Sequence, residues 1–217
     1  MVNKKDLKEA LRFYLVTDRT QSRGRSEEEI VLQAEAGGIT ALQLRGKELE
    51  AREQYHTGLR LRRLAKRLGL LFIVNDRVDI ALAVEADGVH LGQQDLPASA
   101  VMKMASNLIL GVTVEEVSQI KEAEAAGADY LGTRAVFPTG TKSYPGETLG
   151  LAGLKKICEN TSLPVVAIGG MGQDNAVEVL QTGAAGIAVV SGIVAADDPE
   201  MAAREINKRI KEAFSDA

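Results

Sequence analysis

Eight short apolar runs, each followed by a polar turn and then a helical pattern, constrain this chain more than any other feature. They are Phe13–Val16, Ala41–Leu44, Leu71–Val74, Gly88–Leu91, Ile109–Val112, Tyr130–Gly132, Val165–Ile168 and Ile187–Val190. Each is of strand length, and several are rich in β-branched residues. The segments between them carry helix punctuation. Ser26-Glu27-Glu28-Glu29 reads as a capping box, and Gly37-Gly38 closes that helix. Leu61, Leu64, Ala65 and Leu68 recur at helical spacing before Gly69. Asp174 reads as the cap of the helix holding Val177 and Leu180, and Asp198-Pro199 opens the last helix. Strict alternation of strand and helix implies a parallel sheet buried on both faces. Eight such units in 217 residues predict an α/β fold, a single-domain (β/α)8 TIM barrel with eight parallel strands over residues 1–217. A short helical extension is expected at about 4–11, before the first strand. An open doubly wound sheet is the rival fold. The cluster Gly169-Gly170-Met171-Gly172 does not favour it, because its spacing misses the dinucleotide fingerprint and it follows the seventh strand.

Composition narrows the function classes. A hydrophobic fraction of 45% is ordinary for a globular chain, and the formal charge of −4 comes without a basic stripe, which argues against a nucleic-acid partner. The first residues lack the apolar core of a signal peptide, and the longest apolar stretches are too short to span a bilayer. The single cysteine, Cys158, allows no intrachain disulfide and suggests a cytoplasmic protein. Cys158 itself reads as a small buried hydrophobe.

In a barrel of this kind, chemistry gathers at the C-terminal ends of the strands. Those ends carry Gln43-Leu44-Arg45-Gly46-Lys47, Asn75-Asp76, Gly92-Gln93-Gln94-Asp95, Thr113, Phe137-Pro138-Thr139-Gly140-Thr141-Lys142, Gly169-Gly170 and Val190-Ser191-Gly192. Alternation puts Ala41, Gln43 and Arg45 on one strand face and Leu42 and Leu44 on the other. Gln43 and Arg45 then face the barrel axis, where they need partners, either each other or a ligand. Asp76 and Asp95 follow adjacent strands. Singly, each reads as a helix cap; as a pair beside Lys47 and Lys142, they form an oxygen-rich site suited to magnesium (Mg2+) and a phosphorylated substrate. Thr139-Gly140-Thr141-Lys142 offers amides, hydroxyls and an ammonium for an oxyanion. Gly170, with Val190 and Ser191, sits where barrels often bind phosphate. His90 and His56 read as structural or solvated, and Asp18-Arg19 after the first strand is placed to reach the rim but has no evident partner. Asp79 and Asp87 read as turn or helix-start residues, and Glu27–Glu29 and Arg60–Arg67 as solvated helix faces. The segment Phe137–Gly150 is long enough to serve as a lid.

These segments, in this order, resemble those of the thiamine phosphate synthase family over nearly the whole chain. The markers are Gln43-Leu44-Arg45-Gly46-Lys47, Asn75-Asp76-Arg77, Val89-His90-Leu91-Gly92-Gln93-Gln94-Asp95 and Phe137-Pro138-Thr139-Gly140-Thr141-Lys142. The resemblance implies a (β/α)8 barrel that joins 4-amino-5-hydroxymethyl-2-methylpyrimidine diphosphate to a thiazole phosphate, or to its carboxylated tautomer. The products are thiamine phosphate and pyrophosphate. It further implies that Gln43, Arg45, Lys47 and Asn75 hold the pyrimidine diphosphate. Asp76 and Asp95 would bind Mg2+, Lys142 the diphosphate, and Thr139 with Thr141 the thiazole. Gly170, Val190 and Ser191 would hold the thiazole phosphate. Lys47, Lys142 and Arg45 would carry catalysis by stabilising the departing diphosphate. Two departures stand out. Thr113-Val114-Glu115 replaces a serine followed by Thr-His, so Thr113 keeps the hydroxyl but adds a methyl. Arg134-Ala135 replaces a Gly-Pro or Gly-Ala pair, and Arg134 is either a further phosphate ligand or points outward. If these changes spoil the site, a silent relative or carrier is the alternative.

Overall fold

The apolar runs form extended strands, and one side of each lies against helices while the other meets its counterparts inside a closed ring. A computed structural model describes residues 4–141 and 147–215. The strands are β1 (Phe13–Val16), β2 (Ala41–Leu44), β3 (Leu71–Asn75), β4 (Gly88–Leu91), β5 (Ile109–Val114), β6 (Tyr130–Thr133), β7 (Val165–Ile168) and β8 (Gly186–Val189). Each pairs with its sequence neighbours in parallel, and β1 also pairs with β8, Phe13 opposite Ile187, which closes the barrel. The open-sheet rival is excluded by that last pairing. The last strand begins one residue earlier than its apolar run suggests. Gly186 opens it because a Cβ there would stand 2.0 Å from the Leu11 carbonyl oxygen. Val190 accordingly leaves the strand and heads the short helix Ser191–Val194.

Local signals set the helices. Ser26 accepts from the Glu29 backbone N–H while the Glu29 carboxylate accepts from Ser26, the capping box in full. Gly69 ends helix Ala51–Leu68 in the left-handed conformation. Asp198 caps Pro199–Ser215 by accepting from the Met201 N–H at 2.9 Å. Asp174, however, is not a cap. Asn175 occupies the position before helix Ala176–Leu180, and its side chain instead ties the preceding turn, accepting from Gly172 N–H and donating to Gly170 O.

Period-two alternation sorts the strand residues into two shells. Phe13, Leu15, Leu42, Leu44, Phe72 and Val74 point outward and pack with helix residues such as Leu61 and Val31. Tyr14, Val16, Ala41, Ile73, Tyr130 and Val166 point inward. Helix Lys4–Ala10 lies across the N-terminal end of the barrel, and Leu7 and Leu11 are buried in that inner shell. Glu27, expected on a solvated face, is buried instead and accepts from Arg19 Nε at 2.7 Å. Arg62 leaves the solvated helix face to pair with Asp87 at 3.0 Å. Among the described residues, no helix is long and apolar enough to cross a membrane.

Candidate active site

The C-terminal strand ends converge on one cavity of about 580 Å³. From β2 and the turn after it come Gln43, Arg45 and Lys47; from the end of β3 come Asn75 and Asp76. Asp95 and Thr113 reach it from the β4 turn and β5, Thr139 and Thr141 from beyond β6. Gly170, Val190 and Ser191 complete the wall. Lys142 lies outside the described residues, as do 143–146 of the long loop. The bases of that loop are tied together, with Leu149 N–H donating to Ala135 O and Gly150 N–H to Val136 O.

Charge is placed here by short, specific contacts. Arg45, on the inward face as alternation predicts, donates from Nη1 to Asp18 Oδ2 at 2.7 Å. Asp18 is 1% exposed on its side chain, so the partner it lacked in the sequence is the arginine of the next strand. Thr20 and Gln21 also donate to the Asp18 carboxylate. A carboxylate so held fixes the guanidinium, which also has the Glu48 carboxylate 3.7 Å from Nη1, at the wall of the cavity that Arg45 lines. Lys47 Nζ stands 3.6 Å from Asp76 Oδ2, with both side chains partly exposed.

Asp76 and Asp95 do not cap helices. The helix after β3 begins with Arg77 in the cap position, and the one after β4 with Pro97, and neither makes a side-chain cap bond. Asp76 holds φ at +62°, a conformation that a residue with a Cβ adopts at a cost of about 1–2 kcal/mol. Its backbone N–H donates to His90 O at 2.8 Å, which holds it there. Asp95 Oδ2 accepts from Gly92 N–H at 2.6 Å, a turn that leaves Oδ1 for the cavity. Among the described residues no cluster of three or more His, Cys, Asp or Glu is built to hold a metal. Two carboxylates lining one cavity suit Mg2+, which takes one or two carboxylates and completes its shell with substrate oxygens and water.

Beneath the charged rim runs a chain of polar side chains. Gln43 Nε2 donates to the Tyr14 hydroxyl at 2.9 Å, and the Tyr14 and Tyr130 hydroxyls are 3.2 Å apart. The Tyr130 hydroxyl is 2.9 Å from His90 Nδ1, and His90 Nε2 is 2.8 Å from Thr113 Oγ1. Burial drives the pKa of both phenols well above the usual tyrosine value, so both keep their protons. Space for the two rings comes from missing side chains. A Cβ on Gly111 would stand 2.2 Å from Tyr130 Cζ, and one on Gly132 would stand 2.7 Å from His90 Cε1.

Tyr14, Tyr130 and Glu115 line the cavity although their strand ends gave no signal for them, Asp18 after the first strand supports it through Arg45, and His90 belongs to the structural network rather than to solvent. Alternation pairs Tyr14 with Val16 on one strand face, but in an all-apolar run it does not say which face is inward; the closed ring does. Thr139 Oγ1 accepts from Thr141 N–H at 3.2 Å, shaping the described edge of the oxyanion loop. Gly169 and Gly170 both have positive φ, and a Cβ on Gly170 would stand 2.8 Å from Phe137 Cβ. The pair therefore lets the β7 turn pass close beneath that loop. Helix Ala176–Leu180 starts well beyond Gly170, so no helix begins directly after the glycines. Arg134 has its Nε buried with no hydrogen-bond partner among the described residues.

A second, more open hollow of about 690 Å³ lies between Ser22 and Glu28. Its Arg19 and Arg60 are paired with Glu27 and Glu28, and no strand end contributes to its lining.

Comparison with known proteins agrees with this geometry. The family described as thiamine monophosphate synthase matches residues 13–193. A thiamine-phosphate synthase of Pyrococcus furiosus is 47% identical over 96% of this chain and 99% of its own length. One from Archaeoglobus fulgidus is 48% identical over 94% of this chain and 96% of its own length. The solved structure of a thiamine phosphate pyrophosphorylase from Pyrococcus furiosus superposes with a TM-score of 0.89 at 46% identity, covering 96% of this chain and 99% of that one. A 3-hexulose-6-phosphate synthase shares the barrel alone, at 18% identity and a TM-score of 0.73. On a family match over most of its length and near-half identity to these relatives, the chain belongs to the thiamine monophosphate synthase family, transferases of thiamine biosynthesis.

Proposed function

We propose that the cavity joins 4-amino-5-hydroxymethyl-2-methylpyrimidine diphosphate to 4-methyl-5-(2-hydroxyethyl)thiazole phosphate, or its carboxylated tautomer, with Asp76 and Asp95 holding Mg2+. The observation that carries this reading is convergence. Every site residue expected from the sequence, apart from Lys142 outside the described residues, lines the one cavity. In the reaction, the bond between the pyrimidine methylene carbon and the diphosphate oxygen breaks, and the electron pair leaves with pyrophosphate. The methylene cation is delocalised over the aminopyrimidine ring. The thiazole nitrogen then gives its lone pair to that carbon, forming the new C–N bond; with the carboxylated thiazole, the carboxyl group also leaves the ring carbon as CO2 and a proton from solvent takes its place.

The main demand on the protein is negative charge on the leaving group. Arg45, anchored by Asp18, and Lys47, beside Asp76, supply fixed cations for it. Lys142 would add a third. When bound, Mg2+ would supply further positive charge to the diphosphate oxygens. Thr139 and Thr141 would contact the thiazole, and Gly170, Val190 and Ser191 its phosphate. No base is required, because a neutral ring nitrogen attacks without losing a proton. His90, with both ring nitrogens engaged in the network, is in keeping with that. A cytoplasmic setting agrees with the single thiol, half-buried Cys158.

The test is product formation from the two substrates with and without chelator. Full activity in chelator would remove magnesium from the reading, and no product under any condition would overturn the reading as a whole. Asp76→Ala and Asp95→Ala are each expected to lower turnover by about 10²–10³-fold, the scale of losing a charge-stabilising group, with the melting transition retained.

A further inference from the structure

The polar chain beneath the cavity has a direction, and the direction fixes what its two ends offer to a ligand. Gln43 donates an amide N–H to the Tyr14 hydroxyl. Tyr14 is 1% exposed, so its own proton needs a partner inside the barrel, and the Tyr130 hydroxyl at 3.2 Å is the acceptor beside it. Tyr130, fully buried, then has its proton to place, and His90 Nδ1 at 2.9 Å takes it. A ring nitrogen that accepts carries no proton, so in this direction of the chain the imidazole proton would sit on Nε2, facing Thr113 Oγ1 at 2.8 Å. Thr113, having accepted, turns its own hydroxyl proton outward to the cavity it lines. At the other end, the Gln43 carbonyl oxygen receives no hydrogen bond from the described residues and is not among the buried unpartnered atoms, so it opens to the same cavity.

We infer that Tyr14, Tyr130 and His90 are positioning residues that hold the Gln43 carbonyl as an acceptor and the Thr113 hydroxyl as a donor, selecting a ligand with an N–H at Gln43 and a lone pair at Thr113. The inference rests on the aminopyrimidine reading above and sharpens it. The exocyclic amino group of such a ring meets the Gln43 oxygen, whereas a 4-oxo analogue presents oxygen to oxygen. Accepting the analogue requires the Gln43 amide to turn over. That change reverses the whole chain: Tyr14 donates to Gln43, Tyr130 to Tyr14, His90 Nδ1–H to Tyr130, and Thr113 to His90 Nε2. The tautomer of one histidine therefore reports the polarity of the site. Gly111 and Gly132 leave room for the Tyr130 and His90 rings, whose centroids are 5.4 Å apart, and their contact connects the ends.

The experiment has two arms. In the first, nitrogen-15 NMR of the ligand-free chain reads the imidazole tautomer of His90, assigned with His56→Gln. The Nε2–H form is expected in the unaltered chain, and a mixture of forms in Tyr130→Phe. An Nδ1–H form in the unaltered chain, or a tautomer indifferent to Tyr130→Phe, overturns the inference. In the second arm, kcat/KM is compared for the 4-amino and 4-oxo pyrimidine diphosphates. The preference for the amino compound is expected to fall at least tenfold in Tyr130→Phe, although Tyr130 itself is two hydrogen bonds along the chain from Gln43. Tyr14→Phe repeats both arms should Tyr130→Phe not fold. A preference unchanged in the variant that folds overturns the selectivity claim. Absence of product with either diphosphate in the unaltered chain defeats the substrate reading, while the NMR arm still decides the direction of the chain.

Discussion

The two faces of the barrel strands bury their residues by different means. Outward, Leu15, Leu42, Leu44, Phe72 and Val74 meet the helices in a shell built from hydrocarbon, where stability comes from apolar area and close packing. Inward, the ring holds tyrosines, a glutamine and a histidine whose polar atoms are satisfied in sequence along a line of hydrogen bonds. The outer shell tolerates any residue set of the right volume and polarity. The inner shell works only when every member is present, because one missing partner strands the next one's donor or acceptor without water. Stability therefore resides mainly in the outer shell, and specificity in the inner one.

Perturbing each shell separately tests that division. The largest effect is expected from Leu61→Ala, a fully buried side chain of the outer shell distant from the rim. Stability to denaturant should fall by about 2–5 kcal/mol while KM stays unchanged at a temperature where the variant is folded. A change in KM would mean that the shells are mechanically coupled. Gly111→Ala comes next. Its Cβ would stand 2.2 Å from Tyr130 Cζ and 2.4 Å from His90 Nδ1, so ring displacement is expected to cost about 1–3 kcal/mol. Unlike the leucine change it should also depress kcat/KM, which steady-state kinetics on the folded variant will show.

The smallest effect is a pH dependence confined to the inner shell. Burial raises the native pKa of Tyr14 and Tyr130 above the ordinary 10.0. Above that pH the unfolded chain releases protons that the native state still holds, so stability falls as pH rises. The contribution is whole below pH 10.0 and is lost on the alkaline side, with a slope of about 1.4 kcal/mol per pH unit for each phenol. Urea midpoints taken across that range should show the slope, and Tyr14→Phe should reduce it by one phenol's share. A slope indifferent to Tyr14→Phe would mean that the buried hydroxyl ionises as freely as an exposed one.

The outer shell was also the legible one. Leucines alternating with polar residues in β2 assigned both faces of that strand correctly, and Gly69, Ser26 and Asp198 marked helix ends by local chemistry alone. Local chemistry misled where two neighbours suit the same role. Asp174 and Asn175 both fit a helix start, and only the turn at Gly170–Gly172 decides between them. The start of β8 was hidden because Gly186 adds nothing to an apolar run, yet contact with the Leu11 carbonyl demands it. Rim residues were readable because they follow strands in sequence. Their partners were not, since Asp18 meets Arg45 across 27 residues of chain, and His90 on β4 reaches Tyr130 on β6 only over the space that Gly111 of β5 leaves open.

Leu7 and Leu11, set under the ring at its N-terminal end, bear on traffic through the cavity. With the floor stoppered, a molecule resting deep against Gln43 and Tyr130 is reached, among the described residues, past the same rim that whatever settles above it also meets. Occupants of such a well queue: the first to arrive is the last to depart, and a late guest left in place detains the one beneath it.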